Sequence, residues 1–432
     1  MTTAARYHAD RAWLDGGLVR DVLIEVGDGR FTAVTPGAAP GGATRLRLAL
    51  PGLANAHSHA FHRALRGRTH GGRGNFWTWR ELMYAVAARL DPDSYFALAR
   101  AVYGEMALAG ITCVGEFHYL HHGPDGAPYA DRNAMGYALI AAARDAGIRI
   151  TLLDALYLTS DLDGRRLEGV QRRFGDGDAD GWTQRVEALR AEPHARIGAA
   201  LHSVRAVPAS DLSRLAGRRP LHVHLSEQRA ENERCLAVHG CTPTELLRRS
   251  GVLGPDTTAV HATHLTDADI KALGSSGTGV CLCPTTERDL ADGIGPARAL
   301  ADAGSPISLG SDSQAVIDPF EEARGLEMGE RLVTERRGHF TAAELLAAAT
   351  NHATLGWADA GGIAVGRRAD LVALSMASVR TAGVEPEGAI YAATAADITH
   401  VIADGRLIVA EGRHTTIDVP AALGTAIAAV TR

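Results

Sequence analysis

Strand-like and helix-like segments alternate eight times between residues 51 and 362, and this alternation narrows the choice of folds more than any other feature. Parallel strands joined by helical crossovers form either a closed barrel or an open, doubly wound sheet. Since no Gly-x-Gly-x-x-Gly follows any of these strands, we expect an α/β fold, a (β/α)8 TIM barrel. The strands are predicted within residues 51–59, 110–119, 149–157, 195–204, 220–227, 257–265, 279–287 and 306–313.

Both ends of the chain have a different pattern. Residues 1–50 show short alternating apolar runs with an Asp-Gly turn, and residues 361–412 return to short strands separated by Asp-Gly and Glu-Gly turns. Such hairpin patterns predict antiparallel strands. We therefore expect a hydrolase barrel at 51–362 and a small discontinuous β-sandwich domain from 1–50 and 363–432.

Local signals mark several helices and one loop. Asp-Pro at the start of residues 91–110 predicts a helix that ends at the final glycine. Capping boxes at residues 242–245 and 341–344 predict two more helix starts. The glycine-rich residues 69–76 are predicted to form a mobile loop over the barrel mouth.

Composition excludes several classes of function. The chain is 46% hydrophobic and 22% charged, with a net charge of −6, so it offers no basic face for nucleic acid or anionic lipid. No apolar run approaches the roughly 18 residues of a membrane helix, and the first residues lack an apolar signal core. The five cysteines follow no disulfide framework, which favours a cytoplasmic location. Lys271 is the sole lysine and the sole candidate for Schiff-base chemistry.

Residues that can bind metal occur where several predicted strands end. His57 and His59 are two positions apart, so one strand face can present both imidazoles. The fifth strand offers His222 or His224, and the eighth offers Asp312. Barrel enzymes build their active sites at these strand ends. Three histidines and one carboxylate with room for water are typical of catalytic zinc, whereas each residue alone could equally be a packed polar side chain.

Further candidates follow the fifth and sixth strands. Glu227 lies three residues after His224, and the sixth strand ends with His261 and His264. Taken without context, Glu227 is better explained as a solvated glutamate at a helix start.

The segments PGLANAHSH, HVHLSE, VHATHL, SLGSDS and GGIAVGRRADLVAL resemble landmarks of the amidohydrolase superfamily, and the resemblance covers the whole chain. Many members bridge two metals with a modified lysine on the fourth strand, but ARIGAALHSV has none. The chain is thus similar to the single-metal deaminase branch. Its H-x-x-E segment implies His224 as a ligand beside His57, His59 and Asp312. One Zn²⁺ per chain is implied, with Fe²⁺ or Mn²⁺ as alternatives.

Within that branch, AHSHAFHRALRG, NFWTWRELMY, EFHYLHH, LHSVRAV, HLSEQ and LCPTTERDLADG are similar to segments of the formimidoylglutamate deiminase family. The resemblance implies zinc-dependent hydrolysis of N-formimino-L-glutamate to N-formyl-L-glutamate and ammonia, a step of histidine degradation. The chain departs from the family at His62, where the family has glutamine.

The resemblance also implies roles for individual residues. Asp312 would accept a proton from the attacking water, Glu227 would pass one to the imino nitrogen, and His261 would stabilise the tetrahedral centre. The two carboxylates of such a substrate require cationic partners, for which arginine has the better geometry. The implied substrate-binding residues are Arg80, Tyr119, His202, Arg205 and His62.

Two alternatives stay open. The first is another mononuclear-metal aminohydrolase, acting on a nucleobase or related amidine, but it gives no reason for Arg80 and Arg205 together. The second is a metal-binding barrel without catalysis, which would not need Glu227 and His261. For partners, we expect a small-molecule dicarboxylate substrate and a homodimer, with no nucleic acid and no membrane.

Overall fold

A computed structural model describes residues 5–15, 17–70 and 76–431, and its strands form two eight-stranded sheets. Residues 71–75 of the predicted glycine-rich loop lie outside the described residues. In chain order the strands are β1 (Ala5–Leu14), β2 (Gly17–Gly27), β3 (Arg30–Thr35), β4 (Thr44–Pro51), β5 (Leu53–Ser58), β6 (Ile111–His118), β7 (Arg149–Leu156), β8 (Ala195–Leu201), β9 (Leu221–Leu225), β10 (Thr257–His261), β11 (Gly279–Leu282), β12 (Ile307–Leu309), β13 (Leu371–Leu374), β14 (Ile398–Ala403), β15 (Arg406–Ala410) and β16 (Arg413–His414).

Helices lie between the strands of the second sheet and after it. They are α1 (Phe76–Ala87), α2 (Pro92–Leu108), α3 (Ala134–Ala146), α4 (Ala179–Glu187), α5 (Arg229–His239), α6 (Pro243–Arg249), α7 (Asp267–Ser276), α8 (Pro284–Asp289), α9 (Ala297–Ala303), α10 (Pro319–Thr334), α11 (Ala342–Ala349), α12 (Ala389–Ala392) and α13 (Val419–Thr431). Within the described part of the chain, none is both long and apolar enough to cross a membrane.

The second sheet is the predicted (β/α)8 barrel. Strands β5 to β12 lie in sequence order, all pairs are parallel, and each predicted segment contains one strand. The barrel closes where Ser58 bridges to Asp312. There the Asp312 amide donates to the His57 carbonyl at 3.0 Å, and the His59 amide donates to the Asp312 carbonyl at 3.2 Å. Closure therefore brings the first and last strand ends, with their polar residues, side by side.

The predicted helix caps are present, with one difference. Asp91 caps α2 in a capping box, and α11 begins with the predicted box. Thr242 caps α6 by accepting from the Glu245 amide, but the Glu245 carboxylate does not turn back to complete the box. It instead accepts from Arg248 at 2.6 Å and Arg249 at 2.7 Å, because these residues lie three and four positions further along the same helix face.

The first sheet, here the terminal sheet, combines both ends of the chain in the order β16-β15-β14-β13-β4-β1-β2-β3. Its hydrogen bonds run through all eight strands, so the predicted sandwich is built from one continuous sheet rather than from two separate sheets. The turn between β2 and β3 has positive φ at both Asp28 (51°) and Gly29 (76°), as a tight hairpin turn requires. We propose the domain division 1–50 plus 363–432 and 51–362 on this basis.

Buried charge and a close helix contact join the terminal sheet to the barrel. Arg149, at the start of β7, donates to Asp370 at 2.9 Å and to Asp404 at 2.8 Å, next to β13 and β14. The C-terminal part also contains a helix that the sequence pattern had not indicated, since the last described residues form α13 against α2. A Cβ on Gly104 of α2 would lie 2.9 Å from a Val419 methyl, so the glycine permits this close approach.

Candidate metal centre and active site

Four side chains with metal-binding atoms meet at the closure of the barrel. His57 is on β5 and His59 follows it, His224 is on β9, and Asp312 follows β12. One ligand atom from each lies within 4.8 Å of all the others. The His57 and His59 Nε2 atoms are 3.1 and 3.3 Å from Asp312 Oδ1, and the His57 and His224 Nε2 atoms are 3.1 Å apart. The structure thus groups these predicted ligands, and it groups His224 rather than His222.

Hydrogen bonds fix the orientation of two of the imidazoles. His59 Nδ1 lies 2.8 Å from the Phe117 carbonyl and His224 Nδ1 lies 2.8 Å from the His202 carbonyl. A carbonyl only accepts, so each Nδ1 carries the proton and each Nε2 presents a lone pair to the centre. Metal-binding histidines are commonly held by this kind of outer hydrogen bond.

The protonation states of the group also suit a cation. Burial lowers the pKa of His57 to about 3 and lowers the pKa values of His59 and His224, so all three are neutral at pH 7. Burial alone would raise the pKa of Asp312, but the hydrogen bond from His57 and the charge of His261 outweigh it and the net shift is downward. Three neutral imidazoles and one carboxylate, all buried, fit a single divalent metal ion.

A buried network of hydrogen bonds holds the backbone next to the metal-binding residues. The Glu116 carboxylate on β6 accepts from Ser58 Oγ at 2.7 Å and from the Ala60 amide at 2.6 Å, on either side of His59. Gln314 donates to the same Ser58 hydroxyl at 2.9 Å, which links β5 to the segment after β12. Burial raises the pKa of Glu116 to about 8, although both hydrogen bonds lower it. The network ties β6 to the two segments that carry His57, His59 and Asp312.

Glycine and strained backbone let the ligands approach one another. A Cβ on Gly310 would lie 2.8 Å from His57 Cβ and 3.0 Å from Cys283 Sγ, so a larger residue does not fit. Asp312 has φ of 38° and His261 has φ of 68°, in the left-handed region that non-glycine residues rarely adopt. Such strain is concentrated at functional sites, where the surrounding structure holds it.

Glu227 and His261 form a second part of the site. Glu227 Oε1 is 3.8 Å from His261 Nε2, and both side chains are buried. Burial raises the pKa of Glu227, with His261 and Arg205 opposing it. Burial lowers the pKa of His261, but the charges of Glu227, Asp312 and Glu287 outweigh burial and raise it well above the ordinary value. This pair can therefore hold and transfer a proton next to the metal group.

The two predicted arginines line the same cavity but have different contacts. Arg205, after β8, donates through Nε to Glu231 at 2.7 Å, and Glu231 also accepts from the Ser226 amide at 3.0 Å. Arg80, on α1, lies with its guanidinium carbon 5.5 Å from the centre of the Tyr84 ring. The guanidinium of Arg205 is therefore held by a buried carboxylate on α5, while Arg80 stands against an aromatic face.

The remaining predicted substrate residues lie around these groups. Tyr119, after β6, has its hydroxyl 2.9 Å from His62 Nε2. His202, after β8, packs its ring 4.4 Å from the ring of Tyr157. His62 thus takes part in a hydrogen bond with Tyr119.

One cavity with about 580 Å³ of empty space borders these groups, although His57 is not part of its lining. The predicted residues that line it are His59, His62, Arg80, Tyr119, His202, Arg205, His224, Glu227, His261 and Asp312. Two further histidines and the single lysine, which the sequence analysis also considered, do not line the cavity. His222 is buried with Nε2 3.0 Å from the Thr354 carbonyl, and Lys271 is exposed on α7. His264 is outside the lining, although its strand was predicted correctly.

Several residues of the site had not been predicted. Glu287, in α8, lies 3.5 Å from His261 Nδ1, and Tyr157 and Phe174 form part of the cavity wall. Nothing local in PTTERD marks Glu287, because its contact with His261 exists only in the folded barrel. Glu116 could have been identified, since a carboxylate inside the apolar run ITCVGEFH is an unusual strand residue.

A second group of possible ligands, His118, His121 and Asp154, lies deeper in the barrel wall. Arg185 donates to both oxygens of Asp154 at 2.8 Å. Its positive charge already neutralises the carboxylate and disfavours a cation there. The mononuclear centre at the barrel closure is therefore the better metal site.

Comparisons with known proteins identify the family of the chain. The model of the amidohydrolase family matches residues 48–408. The chain is 37% identical over 430 residues to formimidoylglutamate deiminase of Pseudomonas aeruginosa, covering 94% of this chain and 95% of that one. It is 29% identical to 8-oxoguanine deaminase of the same species, covering 86% and 84%. The crystal structure of an amidohydrolase from Brucella melitensis superposes with a TM-score of 0.90 at 32% identity, covering 99% and 100%.

The family model spans most of the chain, and the relative of 37% identity extends over nearly all of both sequences. Together with the barrel and the grouped histidines and aspartate, these matches show that the chain belongs to the amidohydrolase family.

Proposed function

We propose that this protein hydrolyses N-formimino-L-glutamate to N-formyl-L-glutamate and ammonia. The observation that carries the proposal is a single cavity lined by metal-binding residues, by the Glu227–His261 pair, and by Arg80 and Arg205. A metal group and a proton-transfer pair suit hydrolysis of a C–N bond, and two arginines suit a substrate with two carboxylates. The 37% identity to formimidoylglutamate deiminase supports the same substrate.

The metal is proposed to be one Zn²⁺, with Fe²⁺ or Mn²⁺ as alternatives, held by His57, His59, His224 and Asp312. Buried imidazoles and one carboxylate are a common zinc donor set. When bound, zinc lowers the pKa of water and so makes a nucleophile available near neutral pH.

The chain's own residues account for the proton movements. Asp312 belongs to the metal group and its lowered pKa keeps the carboxylate unprotonated, so its oxygens are available to accept a proton from the attacking water. Glu227, whose pKa is raised by burial, can carry a proton to the leaving nitrogen so that ammonia departs. His261, protonated beside Glu227 and Glu287, can stabilise the negative charge that develops on the tetrahedral centre.

Binding of the glutamate part is assigned to the two arginines that line the cavity. Arg80 and Arg205 would each pair with one substrate carboxylate, because a buried carboxylate requires a cationic or hydrogen-bonding partner. Tyr119, His202 and His62 supply further polar atoms to the cavity lining, and we propose that they orient the substrate.

The experiment that tests this function measures ammonia release from N-formimino-L-glutamate, guanine, adenosine and cytosine by the zinc-loaded protein. We expect N-formimino-L-glutamate to have the highest kcat/KM. The relative of 29% identity acts on 8-oxoguanine, so a nucleobase is the second candidate. Higher kcat/KM for any nucleobase would replace the proposed substrate while leaving the metal site intact.

We further propose that the enzyme acts in histidine degradation, in the cytoplasm and as a homodimer. The five cysteines are all free and buried, which supports a reducing compartment. Met328, Leu332 and Val333 on α10 are 40%, 77% and 63% exposed, and an apolar face of this kind supports association of two copies. Sedimentation or light scattering at several concentrations would measure the mass.

A further inference from the structure

An open cleft adjoins the proposed active site on the side of β7. It contains about 1140 Å³ of empty space and is bordered by the loops after β6 and β7. The charged side chains that line it include Arg132, Arg166 and Arg172, which are all exposed. No function is assigned to these arginines by the metal centre or by the substrate residues described above.

The three arginines are available to bind a ligand. Within the described ranges, none of their guanidinium groups forms an ion pair or a side-chain hydrogen bond, whereas the neighbouring Arg165 pairs with Asp163 at 2.9 Å. Clustered guanidinium groups without carboxylate partners repel one another. An anion in the cleft would relieve this repulsion and accept hydrogen bonds from them.

Carboxylates on the cleft wall do not cancel this charge. Asp176 accepts from Arg185 Nε at 2.9 Å and lies 2.9 Å from His122 Nε2, so its charge is already compensated. Asp125, the other acidic side chain of the lining, offsets the charge of one arginine and leaves an excess of two guanidinium groups. Because the whole chain carries a net charge of −6, a local excess of guanidinium groups makes the cleft a positive region on a negative molecule.

A thin aromatic wall separates the cleft from the active-site cavity. Tyr157 lines both spaces. Its ring lies 4.4 Å from His202 and 5.5 Å from Phe174, and its hydroxyl accepts from Gln171 at 3.4 Å. A ligand held by the cleft arginines is therefore one side chain away from the substrate cavity.

We propose that Arg132, Arg166 and Arg172 form a capture site for small dicarboxylates, which raises the concentration of the dianionic substrate beside the active-site cavity. The inference rests on the proposed function, since a neutral substrate would gain nothing from a positive cleft. It predicts that kcat/KM depends on these arginines and on ionic strength, while kcat does not, because the arginines do not touch the reacting atoms.

The test compares two triple variants of the zinc-loaded enzyme. The capture variant is Arg132→Gln, Arg166→Gln and Arg172→Gln. The control variant carries the same change of charge at Arg20, Arg190 and Arg413, which are exposed on the terminal sheet or precede β8 at the opposite end of the barrel. Steady-state kinetics with N-formimino-L-glutamate are measured at ionic strengths of about 20 mM and about 0.5 M, because the higher salt screens charges beyond a few ångström.

We expect the capture variant to lose about tenfold in kcat/KM at low ionic strength, with kcat within about twofold of the native value and the difference nearly absent at high salt. The control variant should match the native enzyme. Equal losses in both variants, no loss in the capture variant, or a loss confined to kcat would each overturn the proposal.

A failure of the proposed function gives a different result. In that case the native enzyme does not hydrolyse N-formimino-L-glutamate, and the cleft is tested by calorimetric titration with N-formyl-L-glutamate at low ionic strength. A Kd that rises about fivefold or more in the capture variant alone would support capture of dicarboxylates by the cleft. An unchanged Kd would overturn it.

Discussion

Replacing Glu227 by glutamine is the sharpest test of the division between metal binding and proton transfer. The Glu227 carboxylate lies 3.8 Å from His261 and borders the cavity, but it is outside the group of four side chains whose ligand atoms converge. Glutamine keeps the size and polarity of the side chain while removing its ability to carry a proton. General acid–base groups contribute about 10²–10⁴ in rate, or about 3–5 kcal/mol in the activation free energy.

We therefore expect Glu227→Gln to lower kcat by at least about 10² while the metal content stays near one ion per chain. The assay is ammonia release under saturating N-formimino-L-glutamate, with elemental analysis of the same sample. Glu233→Gln is the matched control, because Glu233 is exposed on α5 and should leave both values unchanged. Near-native kcat would refute the proton-transfer role, and loss of metal together with activity would instead make Glu227 a ligand.

Three further predictions concern binding, packing and the metal. Arg80→Ala and Arg205→Ala should each reduce kcat/KM for N-formimino-L-glutamate by a factor that corresponds to about 2–4 kcal/mol, because each leaves a substrate carboxylate without its partner. Unchanged kinetics would show that the arginine does not bind the substrate. Gly310→Ala should lower the free energy of unfolding by about 1–3 kcal/mol and weaken metal retention, since its Cβ would lie 2.8 Å from His57 Cβ. In denaturant titrations, Gly42→Ala is the control, as no atom lies within 4 Å of its Cβ position. Chelation should abolish ammonia release and Zn²⁺ should restore it, whereas full activity in metal-free protein would contradict the metal role.

Much of the fold was predictable because the barrel depends on local patterns. Strand-like runs and helix signals recur at regular intervals, and right-handed crossovers leave few ways to arrange them. The C-terminal helix α13 was missed because AALGTAIAAV contains many small apolar residues and follows a clear β pattern. Its place against α2 depends on Gly104, whose role is visible only when both segments are packed.

The site was predictable to the extent that its residues lie at strand ends. The spacing of His57 and His59 indicates a shared face, whereas spacing alone could not choose between His222 and His224, which are also two positions apart. The structure distinguishes them by position along the strand, since His224 lies with the other metal-binding residues and His222 contacts the Thr354 carbonyl. Glu287 could not be predicted, because its contact with His261 joins two segments that are neighbours only in the barrel.

The central claim is that a hydrolytic metal site acts on a substrate selected by its two carboxylates. It is tested most directly by the ratio of kcat/KM for N-formimino-L-glutamate to kcat/KM for N-formimino-4-aminobutyrate, which lacks one carboxylate and keeps the reacting group. From the loss of about 2–4 kcal/mol for one unpaired charge, we predict a ratio between about 30 and about 1000 for the zinc-loaded native protein. A ratio near one would contradict the account, because the arginines of the cavity would then not select the substrate.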